Sequence, residues 1–108
     1  MDSIYIPRVK AELFYAETVH ARIQTQIEQA AEELKHGQSV LVEFLLNDGQ
    51  RIVPHYIGYH NPNFIVMYGQ DASGNETKVL LPHTNIQVVV TILNKPAERK
   101  PIGFQGRE

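Results

Sequence analysis

The feature that most limits what this chain can fold into is a change of hydrophobic period near Gly37. Before it, Val9, Leu13, Ala16, His20, Ile23, Ile27, Ala30 and Leu34 recur at alternating spacings of four and three, the stripe of one helix face and the spacing of a heptad seam. From Ser39 onward the period falls to two and Val, Ile, Leu, Phe and Tyr dominate, the pattern of strands with one buried face. One helix feeding one antiparallel β unit is the architecture this order allows. Proline at 7 suits a helix first turn, and Lys35-His36-Gly37 is a helix stop, so the reading is a helix over 7–36.

The β code divides into strands over 39–46, 51–59, 63–69, 77–82 and 86–93. Asn47-Asp48-Gly49-Gln50 carries the Asp-Gly signal of a tight hairpin, and residues 70–76 form a longer polar hairpin with Gly74 and Asn75 placed for a left-handed turn. Pro54 lacks the N–H that a ladder needs, so it marks an edge or a bulge, and Gly58 suggests a second bend; such a strand can serve two sheets. The expected fold is mainly β: a long N-terminal helix over 1–36, a strongly bent five-stranded antiparallel small barrel over 37–93, and a flexible C-terminal tail over 94–108, where two Pro, two Gly and mixed charge argue against packing.

Composition removes several function classes. A chain of 108 residues with 43% hydrophobic content has material for one core. It has no Cys, which removes disulfides, thiolate nucleophiles and zinc ribbons. No run approaches the roughly 18 apolar residues of a membrane span, and the N-terminus lacks a signal-peptide pattern, so the expected compartment is the cytoplasm, with no membrane partner. Ser39 and Ser73 have no His and carboxylate arranged around them in sequence, and no Gly-rich phosphate loop occurs, so neither catalytic residues nor a cofactor is expected. The five histidines, His20, His36, His55, His60 and His83, lack a ligand spacing, and no metal site is expected.

Charge is distributed unevenly. Residues 37–93 carry Arg51 and Lys78 against Glu43, Asp48, Asp71 and Glu76, while 94–108 carry Lys95, Arg99, Lys100 and Arg107 against Glu98 and Glu108. No broad basic face exists to neutralise a phosphate backbone. The last strand is apolar along one face, Ile86, Val88, Val90 and Ile92, and half apolar along the other, Gln87, Val89, Thr91 and Leu93, so both faces want cover. Beside the equally apolar Val79-Leu80-Leu81 it would be an aggregation hazard if left open, and pairing between subunits would remove that edge. The helix seam has two readings. It lies on its own barrel, or it pairs with another chain through Ile23 and Ile27. The candidate oligomer interface is therefore Val79, Leu81, Val88, Val89, Val90, Ile23 and Ile27.

Three stretches, VEFLLNDGQRI (42–52), GYHNPNFIVMYG (58–69) and LPHTNIQVVV (81–90), resemble the motifs of the Sm-like small-barrel family, which includes the bacterial RNA chaperone Hfq. The order of a helix and then five strands matches throughout 37–93, although SH3-type small barrels share these strand and turn statistics. The resemblance implies a homo-oligomeric ring that binds short single-stranded RNA, with Tyr59 as a stacking platform and Asn61 and His83 beside it. The chain departs from the pattern in having Pro54 where the family places a Gly, Pro82 rather than Lys before His83, a longer turn at 60–63 and a longer helix. Without that lysine, Tyr59 also reads as core and His83 as a turn residue bonded to backbone. Two functions stay open: an RNA-binding ring, or an assembly or protein-interaction module with no nucleic-acid role.

Overall fold

The computed structural model describes residues 15–107. Helix α1 runs Ala16–Glu32 and is followed by β1 (Ser39–Leu45), β2 (Arg51–Ile52), β3 (Pro54–His60), β4 (Phe64–Gln70), β5 (Glu76–Pro82), a single 3₁₀ turn at His83–Asn85, β6 (Gln87–Leu93) and β7 (Gly103–Arg107). The strands form two sheets, ordered β2-β1-β6 and β5-β4-β3-β7, and neither closes into a barrel.

This corrects the expectation of a closed five-stranded barrel, and the reasons are local. The strand expected over 51–59 is broken at Val53, so β2 pairs with β1 while β3 pairs with β4. The ladder is irregular between Pro54 and Tyr56, as a residue without an N–H requires, while the register from Tyr56 to His60 is regular across Gly58. At the other end, Pro82 and the 3₁₀ turn separate β5 from β6, and each pairs on one side only, β5 with β4 and β6 with β1.

The segment expected to be a flexible tail supplies β7, parallel to β3 from Tyr56 opposite Gly103 to His60 opposite Arg107. Two glycines in five residues hide this strand from a propensity reading. Gly103 serves a steric purpose, because a Cβ there would come within 2.9 Å of the Tyr56 ring.

Within 7–36 the stretch 7–14 lies outside the described residues, and the helix ends at Glu32 rather than His36. Its last turn holds Glu32 and no basic side chain, the wrong sign for the negative end of the helix dipole. The chain then tightens, with Glu33 and Leu34 donating to the Ala30 and Ala31 carbonyls, and reverses at Gly37 with φ +83°.

The core lies between the sheets and α1, which packs on β1, β3, β4 and β6. Phe44, Ile57, Ile65 and Met67 are fully buried, with Val42, Ala16 and Ile27 beside them. Among the described residues the buried polar side chains are satisfied: Ser39 Oγ donates to the Lys95 carbonyl (2.8 Å) and His20 Nε2 to the Ile57 carbonyl (3.0 Å).

The bend between β2 and β3 rests on Gly69, the register partner of Pro54. A Cβ there would sit 2.9 Å from the Val53 carbonyl oxygen and 3.3 Å from Ile52 Cγ2. Gly69→Val is expected to lower stability by about 1–3 kcal/mol through overpacking, measured as a fall in thermal midpoint by circular dichroism. In the β4–β5 hairpin, the carboxylate of Asp71 accepts from the backbone N–H of Asn75 (2.9 Å) and of Ser73 (2.9 Å) and from the Asn75 amide. Led by the Asn75 backbone bond, these hold its pKa below the ordinary 3.8. A depressed carboxylate pKa adds stability above the unfolded value that is lost as pH falls through the folded one. An NMR titration of Asp71 is expected to show a midpoint below 3.8, and Asp71→Asn should remove the hairpin's share of the acid-side stability loss.

Candidate functional site

The β3–β4 turn, the start of α1 and the 3₁₀ turn meet at one end of the larger sheet, bringing Tyr59, Asn61 and His83 into one region. The meeting has a physical cause. Tyr15, at the helix N-cap, makes no side-chain cap, so the first N–H groups of α1 need partners from elsewhere. The turn supplies them: Ala16 N–H donates to the Pro62 carbonyl (2.8 Å) and Glu17 N–H to Asn61 Oδ1 (3.1 Å). Asn61 Nδ2 donates in return to Glu17 Oε1 (3.2 Å). This two-way arrangement has the logic of a capping box, built between residues 44 positions apart.

His83 is fixed to the same turn. Its backbone N–H (2.8 Å) and its ring Nδ1 (3.1 Å) both reach the Asn63 carbonyl. A carbonyl oxygen only accepts, so Nδ1 carries the proton. Tyr59 is half-buried against His20, with ring centroids 5.0 Å apart and planes inclined by 60°. His20 in turn meets Phe104 of β7 edge-on at 5.6 Å. The three side chains expected to hold a base are therefore gathered at one end, but they secure the helix, the turn and the core to one another. The charged group that joins them is Glu17, an anion. His20 and Glu17 stand out as site residues only in three dimensions. His20's place on the helical seam signals burial, and nothing in the sequence pairs Glu17 with Asn61.

The interface candidates divide into two groups. Ile27 is buried and Ile23 half-buried in the chain's own core, so these two seam residues face inward. Val79, Leu81 and Val88 point into the core from the outermost strands and stay half-exposed, and Val89 is half-buried on the opposite face, across from Glu43. Val90 is opposite Val42 and Ile92 opposite Val40, so both share the core face, yet they are 37% and 43% exposed. On β5, Leu80 is 50% exposed. Leu80 and Ile92 were not among the expected interface positions. The apolar interior thus runs out to an uncovered edge at β6, and β6 carries no charged residue from Gln87 to Leu93.

A shallow cleft between the β1–β2 turn and the 3₁₀ turn is lined by aliphatic side chains and by Asn47, Thr84, Asn85 and Gln87, with no charged group. Among the described residues no three His, Cys, Asp or Glu side chains gather to hold a metal ion, and no helix is long and apolar enough to cross a membrane. Comparison with family models, curated proteins and solved structures returned no match.

Asn61→Ala removes the external cap of α1 and is expected to cost about 0.5–2 kcal/mol, the usual range for losing an N-cap side chain. Urea denaturation measures it. Glu17→Gln, which keeps the hydrogen bond, should cost less.

Proposed function

We propose that this chain is a self-assembling module whose copies join head to tail, the β5 edge of one pairing with the β6 edge of the next. The observation that carries this is the exposure of Val90 and Ile92 on the core-facing side of an uncharged edge strand that pairs on one side only. A strand with these properties is a template for pairing with another chain. The two open edges match in length, with 7 residues in β5 and 7 in β6. Joining them would cover Leu80 on the outer face of β5 and Val90 and Ile92 on the core face of β6, and would set Val79 and Leu81 of one copy beside the apolar edge of the next. A β6-to-β6 pairing would leave β5 uncovered. Because the two edges differ, the contact is heterologous, and a heterologous contact whose rotation closes makes a ring. The resemblance of 37–93 to Sm-like chains agrees with this reading.

Single-stranded RNA is the weaker reading of the same module. Both cations of 37–93 have partners: Arg51 pairs with Glu43 at 3.3 Å, and Lys78 Nζ lies 5.6 Å from the Tyr68 ring centroid. Stacking on one aromatic contributes about 1–3 kcal/mol per base, and Tyr59 already packs on His20.

Sedimentation velocity tests the proposal. The wild type is expected to be oligomeric, and Val90→Lys and Leu80→Lys are each expected to give monomers with unchanged circular dichroism. A monomeric wild type overturns the proposal. Loss of assembly in Val90→Lys but not in Leu80→Lys overturns the head-to-tail arrangement. Fluorescence anisotropy with A-rich and U-rich oligonucleotides at low salt is expected to show no saturable binding, and saturation would restore the RNA reading.

A further inference from the structure

We infer that the joint between copies is an antiparallel ladder in one particular register, with Leu80 of one copy directly opposite Val90 of the next. This rests on the head-to-tail reading above and fixes which residues of a second copy the β6 edge receives.

The backbone bonds already made decide which groups are left over. Along an antiparallel ladder, residues that bond to the partner strand alternate with residues that turn their N–H and C=O the other way. At one end of the β4–β5 ladder the Asp71 N–H donates to the Asn75 carbonyl (3.0 Å), and at the other the His83 N–H donates to the Asn63 carbonyl (2.8 Å). Counted inward by twos, Thr77, Val79 and Leu81 bond to β4. Lys78 and Leu80 therefore turn both backbone groups to the open edge, and Pro82 turns out a carbonyl alone. The smaller sheet follows the same count. Leu46 N–H donates to the Gln50 carbonyl (2.8 Å), so Phe44 bonds to β2, while Leu45 and Glu43 bond to Gln87 and Val89 of β6. Val88, Val90 and Ile92 hold the groups left over on β6.

These leftover groups sit on opposite faces of the two strands. On β5 they belong to the outer face, since Val79 and Leu81 are the residues packed on the core. On β6 they belong to the core face, where Val88 is opposite Phe44 and Val90 opposite Val42. An antiparallel ladder sets the bonding residues of its two strands directly opposite, with their side chains on one face. It therefore gathers Leu80, Val90 and Ile92, the exposed large hydrophobics among the described residues, into a single patch. A parallel ladder would put core face beside core face and leave Leu80 on the other side of the sheet from Val90 and Ile92.

The register follows from the same groups. Matching the two seven-residue strands end to end would oppose each residue with free groups to one whose groups are spent, so the ladder shifts by one residue. A shift one way sets Glu76 opposite Ile92 and Lys78 opposite Val90, a charge against each exposed aliphatic. The other way sets Leu80 opposite Val90 and Lys78 opposite Ile92, where the methylene stem of the lysine covers the isoleucine. It also brings Leu81 beside Val89 on the reverse face.

The chain has no Cys, so cross-links report cleanly. In the inferred ladder Val79 of one copy and Thr91 of the next are a non-hydrogen-bonded pair, with Cα atoms about 4.5 Å apart, inside the disulfide range. Co-expressed Val79→Cys and Thr91→Cys chains carrying different tags are expected to give a heterodimer on a non-reducing gel after oxidation. Val79→Cys with Val89→Cys, the pair of the other shift, and Val79→Cys with Val90→Cys, a pair of the parallel junction, are expected to give at most a trace. Each reduced variant is expected to sediment with the wild-type mass. An oligomer in which either alternative mixture cross-links in preference, or in which none does, overturns the ladder and leaves the assembly standing. A monomeric wild-type mass overturns the assembly itself.

Discussion

Pro54 withholds one hydrogen-bond donor from a strand that would otherwise run unbroken from Arg51 to His60, and most of the architecture depends on that missing N–H. The break lets one stretch of chain serve two sheets, β2 closing against β1 and β3 against β4. Gly69 makes the arrangement possible by leaving room for the Val53 carbonyl. A side chain at 69 would push β4 away from the corner, and the core formed by Phe44 of one sheet and Ile57, Ile65 and Met67 of the other would lose its common interior. Separating β3 from β1 also frees the β3 edge that β7 occupies.

The helix is attached to this corner at its start. Its N-terminal donors are satisfied by the β3–β4 turn rather than by a residue of its own, so helix and turn are mutually dependent. One turn further along, His20 spends its Nε2 donor on the Ile57 carbonyl and presents its ring to Tyr59 and Phe104. A leucine there would fill space without bonding to β3. The histidine instead links α1 to β3 by a hydrogen bond and to β7 by ring contact. Tyr59 and Asn61, two of the positions at which the resemblance implied a nucleotide pocket, take part in these fastenings.

What was legible in the sequence follows from how local the cause was. The change from helix to strand, the turn at Gly49 with φ +88°, the hairpin at Gly74 with φ +83° and the irregularity at Pro54 each arise from a residue's own backbone preference. The open sheets and β7 arise from partners distant in sequence. Gly103 reads as a breaker until the Tyr56 ring is beside it, and nothing near Pro82 indicates that β5 and β6 will separate. For the candidate site, Tyr59, Asn61 and His83 were singled out through the resemblance, while their partners Glu17, His20 and Asn63 were not legible because those contacts are non-local. The apolar character of β6 was legible, since two-faced hydrophobicity needs no partner to be seen.

The edges themselves separate what the fold protects from what it leaves available. β2 is two residues long, β7 contains two glycines, and β5 has Glu76, Lys78 and the terminal Pro82 along its length. Each is a recognised way of blunting an edge. β6 has none of them: seven residues from Gln87 to Leu93 with no charge, no proline and no glycine. Its exposed side chains Val90 and Ile92 lie on the face that should be buried. Selection for a monomer would remove that combination with a single lysine. Its presence beside three blunted edges is what supports the proposed pairing through β6, and the partial blunting of β5 gives that proposal a direction. Lys78 beside Lys78 would repel in a β5-to-β5 contact, whereas an uncharged β6 accepts it.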